Sequence, residues 1–78
     1  MSNSATPDES LINGVIRAEL ARKQRTQGGL AGHLRLSQTA VNRRMSGRVS
    51  WRLSELRSAA DYLDISLGDL VNAGEASV

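Results

Sequence analysis

The chain has 78 residues, one histidine and no cysteine, which fits a single domain with a thin core and excludes disulfides, thiolate metal sites and a histidine-cluster metal site. Its net charge of +2 hides a strong asymmetry: all ten basic residues, nine of them arginine, lie between Arg17 and Arg57, where Glu19 and Glu55 are the two acids, so a +8 segment sits between acidic ends. No apolar run approaches the roughly 20 residues that cross a bilayer, and the polar, acidic start lacks the basic and apolar regions of a signal peptide.

Residues 1–7 read as a disordered lead-in before a folded region over 8–72. The first helix is predicted from about Asp8 to Lys23, with Leu11, Ile12, Val15, Ile16 and Leu20 as its apolar stripe. A short second helix follows over about Gln27 to Leu34, with Thr26 as N-cap and Leu30, Ala31 and Leu34 facing inward. Gly28 and Gly29 weaken its first turn and suit a close approach by another group. Arg35 and Leu36 make a tight connection to a third helix, about Gln38 to Met45, capped by Ser37 and ended by Gly47. Val41 and Met45 face inward there, while Gln38, Thr39, Asn42, Arg43 and Ser46 form an entirely polar opposite face. The fourth helix is predicted over about Ser54 to Leu63, with Leu56, Ala59, Ala60 and Leu63 inward and Trp51 and Leu53 packed beneath it. The fifth spans about Ser66 to Asn72, with Ser66 and Asp69 in capping-box spacing and Leu67, Leu70 and Val71 apolar. Residues 73–78 read as a tail.

The fold class is therefore all-α, a five-helix domain. The connection between the second and third helices is too short for an antiparallel pair, so residues 26–47 must cross steeply as a helix-turn-helix. That arrangement lets the third helix protrude into a DNA major groove while the second lies across the backbone.

The stretch from Thr26 to Arg43 resembles the lambda-repressor/Cro (XRE) helix-turn-helix family. The matching features are Gln27, the Leu30-Ala31 pair, Leu34, Leu36-Ser37, Val41 and Arg43. The continuation through Arg43-Arg44-Met45-Ser46-Gly47, Trp51, Leu56 and Ala59-Ala60 is similar to an actinobacterial and actinophage branch, and Leu63 to Leu70 resembles the closing helix. The resemblance implies a compact lambda-repressor-like domain that binds operator DNA as a transcriptional regulator, of phage Cro or immunity-repressor type. Two positions depart from the pattern. Arg35 stands where the family usually has a turn glycine, so it either adopts a left-handed backbone or uses another turn. Arg44 stands where an apolar residue is usual, which leaves it pointing at DNA or at solvent, with Met45 taking the core contact.

Gln38, Thr39, Asn42 and Arg43 are the candidates for base readout. Gln and Asn bridge N6 and N7 of adenine, and Arg bridges O6 and N7 of guanine. The resemblance supports Gln38, Thr39 and Arg43 most. Thr26, Gln27 and Ser37 sit at helix N-termini suited to phosphate, and Arg22, Arg25, Arg44, Arg48 and Arg52 are further phosphate candidates. His33 reads as a surface residue and Trp51 as core.

An enzyme is not expected: 78 residues leave little room for a substrate pocket, and no catalytic constellation stands out. No cofactor, metal, small-molecule ligand or membrane is expected. The rival reading is an antitoxin or adaptor that uses the same fold to bind protein, against which the polar face of the third helix argues, since a protein-binding face carries apolar anchors. Leu67, Leu70, Val71 and Val78 serve either a homodimer face or the monomer's core. Length fits a complete small regulator and an excised domain equally, and the expected location is the bacterial cytoplasm or nucleoid, or the host cytoplasm for a phage protein.

Overall fold

A computed structural model describes residues 9–75. The described residues fold into five α-helices without a strand: α1 Glu9–Arg22, α2 Gln27–Leu34, α3 Gln38–Met45, α4 Leu53–Tyr62 and α5 Leu67–Glu75. The lead-in over 1–7, Asp8 and Val78 lie outside them. α2 and α3 have the bounds expected of them, because each opens on a hydroxyl cap and closes on a local reversal. α5 runs to Glu75 rather than stopping at Asn72. Ala73 is a strong helix former, and one glycine at 74 costs only about 1 kcal/mol, too little to end a helix that already packs.

Ile12, Ile16, Leu30, Val41, Leu63 and Leu70 are fully buried; they come from α1, α2, α3 and α5 and, in Leu63, from the C-cap of α4. α1 lies against α5, α2 lies between α3 and α4, and α4 closes onto α5. Met45 is buried beside Val41, so it does take the core contact. Trp51 is buried, but Leu53 is 60 % exposed rather than packed under α4. It is the first residue of α4, and the Cα–Cβ bond tilts toward the N-terminus, away from the packed body of the helix. Leu11 is also exposed; it sits at the rim of a stripe whose centre is Ile12, Ile16 and Leu20. Of the apolar residues on α5, Leu70 is used up by the core, while Leu67 and Val71 are half-buried.

Asn13 is a buried polar residue among these apolar ones. Its Oδ1 accepts from the Trp51 indole Nε1–H at 2.6 Å, and its Nδ2 donates to the Arg44 carbonyl at 3.0 Å. The Trp51 backbone N–H donates to Glu9 Oε1 at 2.9 Å. A buried indole N–H needs a partner, and Asn13 supplies it while tying α1 to the end of α3 and to the α3–α4 connection.

Four helices end in the same way. The N–H groups of Arg25, Leu36, Arg48 and Ile65 each reach back to a carbonyl five residues earlier, on Leu20, Ala31, Arg43 and Ala60, at 2.8–3.0 Å. The preceding residue in each case is left-handed: Gln24, Arg35, Gly47 and Asp64, with φ between 55° and 83°. These are Schellman closures, which satisfy the last carbonyls of a helix and reverse the chain in two or three residues. Gly47 alone among the four is the glycine that such a position favours.

Two stability measurements test this account. Replacing Asn13 by Leu keeps the branching at Cγ but strands the indole N–H, and is expected to lower stability by about 1–3 kcal/mol in urea unfolding; an unchanged midpoint would mean that the indole finds another partner. Arg35→Gly relieves a left-handed residue that costs about 1–2 kcal/mol, less the extra freedom glycine gains when unfolded, so a net gain of about 0.5–1 kcal/mol is expected. A net loss would show that the Arg35 side chain contributes more than its backbone costs.

Candidate nucleic-acid interface

The α2–α3 corner is built from local rules. Thr26 is extended, and its Oγ1 accepts the Gly29 N–H at 3.0 Å, which starts α2. α2 ends at Arg35, left-handed with φ 59° and ψ 38°; of the two turns open to Arg35, it takes the left-handed one. Leu36 then packs half-buried against the core, and Ser37 turns extended so that its Oγ accepts the Ala40 N–H at 3.0 Å and starts α3. The caps explain why both helices begin where they do.

Val41 and Met45 pin one side of α3 into the core. The opposite side leaves Gln38, Thr39, Asn42, Arg43 and Ser46 exposed. All four base-readout candidates are thus brought onto one outward face. A helix with its side chains is about 10–12 Å across, which matches the roughly 12 Å width of the B-DNA major groove. Thr26, Gln27 and Ser37 stand at the starts of the two helices, next to first-turn N–H groups that have no intrahelical partner.

The arginine candidates divide. Arg48 and Arg52 are exposed on the stretch between α3 and α4. Arg22 is exposed and held by Glu19 Oε1 at 2.8 Å. The hydrogen bond from Arg22 keeps the Glu19 carboxyl below the usual carboxylate range, against a smaller opposing effect of desolvation. Arg25 donates to the Tyr62 carbonyl and lies over the Tyr62 ring, 4.7 Å from its centroid. Lys23 donates to the Leu63 carbonyl. These two cations therefore serve the C-terminal end of α4, where helix carbonyls lack partners and the dipole favours positive charge.

Arg44 is turned inward, away from open solvent. Its Nε and Nη2 grip Glu55 Oε1 and Oε2 at 2.9 and 3.1 Å, its Nη1 donates to the Ala40 carbonyl at 3.0 Å, and both acid and base side chains are 13 % exposed. Glu55 Oε1 also accepts the Arg52 backbone N–H at 2.9 Å, which fixes the start of α4. The hydrogen bond to Glu55 raises the Arg44 pKa further. Partial burial pushes the Glu55 carboxyl up, but the hydrogen bonds from Arg44 and the Arg52 N–H outweigh it and hold the carboxyl below its ordinary 4.5.

Several positioning residues escape a sequence reading. Besides Asn13 and Glu55, Arg17 Nη2 donates to the Met45 carbonyl at 3.3 Å and steadies the end of α3. Tyr62 lies beneath the first turn of α2, with its ring 5.1 Å from that of His33, and a Cβ at Gly29 would collide with its hydroxyl. His33 Nε2 is 3.5 Å from Asp61 Oδ2, and His33 is the surface residue expected of it. Among the described residues no group of three or more His, Cys, Asp or Glu could hold a metal ion, and no helix is long and apolar enough to cross a membrane.

The Arg44–Glu55 pair gives a pH signature. Because the folded carboxyl titrates below its ordinary value, its contribution is complete above pH 4.5 and is lost as the pH falls through the folded value. Glu55→Gln is expected to cost about 1–3 kcal/mol at pH 7 and to flatten the loss of stability below pH 4.5. Parallel stability curves for the two proteins from pH 7 to pH 3 would exclude the pair as a contributor.

No curated relative and no solved structure shows a significant match to the chain. A family model does: the BetR domain matches residues 9–78, a span that includes every described helix. With a polar α3 face set on a helix-turn-helix corner and a model covering nearly all of its length, the chain belongs to the BetR domain family of small helix-turn-helix-like DNA-binding domains.

Proposed function

We propose that the chain is a sequence-specific double-stranded DNA-binding transcriptional regulator of the lambda-repressor/Cro kind, acting as a phage-type repressor. The observation that carries this reading is the α3 face: four exposed polar side chains, with Ser46 at the C-cap beside them, on a helix whose other side is fixed in the core. Such a face offers donors and acceptors to base edges and no apolar anchor to a protein.

In this reading α3 enters the major groove. Gln38 and Asn42 meet adenines through their amides, Arg43 forks onto a guanine, and Thr39 offers a hydroxyl and a methyl group. The starts of α2 and α3, with Thr26, Gln27 and Ser37, sit on phosphates, and Arg22, Arg25, Arg48 and Arg52 supply charge around them. Arg44 has no contact with DNA in this scheme; it holds α3 to α4. The domain binds and does no chemistry, and it represses by occupying the promoter. One such domain has a small footprint, so two act together on half-sites about one DNA turn apart, roughly 34–36 Å. The rival protein-docking role finds some support in exposed Val49 and Leu53, but these lie beyond the end of α3.

Selection from a random duplex library, followed by titration of the best site at two salt concentrations, tests the assignment. Arg43→Ala is expected to relax preference at a single base pair and to cost about 1–3 kcal/mol of binding, whereas Arg48→Ala should weaken all sequences alike and reduce the salt slope by about one. An Arg43→Ala protein with an unchanged sequence preference would remove Arg43 from base readout. Binding that is steep in salt and indifferent to sequence would remove the regulator reading altogether.

A further inference from the structure

Gly28 has no part in the scheme above, yet the space over its Cα is occupied. A methyl group built there would stand 2.6 Å from Gln38 Nε2 and 3.5 Å from Gln38 Cδ, with Thr26 Oγ1 at 3.8 Å. The carboxamide of the first residue of α3 therefore lies back across the first turn of α2. We propose that Gly28 is a specificity-determining residue: by carrying no side chain it lets Gln38 rest against α2, and so sets the orientation in which that amide meets a base. The inference rests on the DNA-binding reading of α3.

The physical case is one of preorganisation. Gln38 is exposed at the start of α3, and a free glutamine samples many rotamers. A bidentate amide–adenine contact requires one amide plane, and a side chain already held near it loses less freedom on binding. The amide lies over Gly28 in the first turn of α2, in space that a Cβ at position 28 would take.

The neighbouring glycine shows the contrast. At Gly29 the obstacle is the Tyr62 hydroxyl, at the end of a ring that Arg25 and His33 flank. A rigid ring cannot swing aside, so Gly29 is a packing requirement. At Gly28 the obstacle is the tip of a flexible side chain, which yields. Gly28→Ala therefore leaves the fold intact, and alanine's higher helix propensity favours α2. What moves is Gln38. Gly32, in the same helix, has open space over its Cα and makes the matched control.

The experiment compares wild type, Gly28→Ala, Gly32→Ala, Gln38→Ala and the Gly28→Ala/Gln38→Ala double variant by site selection from a random duplex library, with thermal unfolding alongside. Gly28→Ala is expected to lose roughly 5- to 150-fold of discrimination at one base pair, the one that Gln38→Ala also loses, with Tm unchanged or raised. Gly32→Ala should keep the wild-type profile, and in the Gln38→Ala background the change at Gly28 should add nothing. An intact profile in Gly28→Ala, or an equal effect of Gly28→Ala with and without Gln38, overturns the inference while leaving the regulator reading in place. A wild type that selects no motif overturns both. The placement itself is read on the free protein: Gly28→Ala must shift the Gln38 side-chain amide signals in a nitrogen–proton correlation spectrum more than Gly32→Ala does, and equal shifts refute it without any DNA present.

Discussion

An eight-residue helix cannot hold itself in water, because isolated helices shorter than about 12–15 residues are marginal. α3 spans Gln38–Met45, so its shape and its direction are both imposed from outside. The supports are distributed along its length. Ser37 closes the first turn, Val41 and Met45 seat the inner face, Arg44 reaches Glu55 at the start of α4, and Asn13 and Arg17 take the carbonyls of Arg44 and Met45 at the far end. A face held this way leaves its outward side chains free to be chosen for something other than folding, which is why Gln38, Thr39, Asn42 and Arg43 can all be polar at no cost to the core.

The short connections follow from the same shortage of chain. In 67 described residues there is room for five helices only if each reversal is brief, and the Schellman closure reverses the chain within about three residues. Its left-handed residue is normally glycine, and here Gln24, Arg35 and Asp64 accept the strain instead. At Arg35 and Asp64 the next residue is apolar, Leu36 and Ile65, and both pack against the core. That burial, of the order of 1 kcal/mol or more for a half-buried leucine or isoleucine, offsets much of the backbone cost.

How far the sequence reaches depends on the range of the interaction. The bounds of α2 and α3 are legible because caps and apolar spacing act within four residues. Thr26 and Ser37 could be named as caps, and the polar face of α3 as outward, without knowing what lies opposite. The roles of Asn13, Glu55 and Arg44 depend on partners 11 to 38 residues away, and no local pattern carries them. Arg43 and Arg44 show this most sharply: two identical side chains about 100° apart on one helix, one facing outward and the other locked to an acid on α4. A signal was nonetheless present. The basic segment contains two acids, Glu19 and Glu55, and each is held by an arginine, Arg22 and Arg44 respectively. Isolated acids in a basic block are where internal ion pairs should first be sought.

That pairing changes the meaning of the charge. An arginine locked into a largely buried pair, as Arg44 is with Glu55, offers little to a polyanion, whereas Arg22, paired with Glu19 at the surface, stays open to solvent. Lys23, Arg25 and Arg17, by contrast, bond to neutral carbonyls and keep their positive fields. The +8 of the central segment is already net of both acids, so its field is real, but the cations behind it are not equally able to reach a phosphate: Arg44 is tied to α4 and Arg17 to the end of α3. Affinity from phosphate neutralisation scales with the number of contacts made rather than with formal charge. A single domain of this size makes few such contacts, so under the proposed function discrimination between sequences falls to the neutral amides and hydroxyls of α3 together with Arg43. Under that proposal the arrangement of those groups, more than the abundance of arginine, is what would separate one DNA sequence from another.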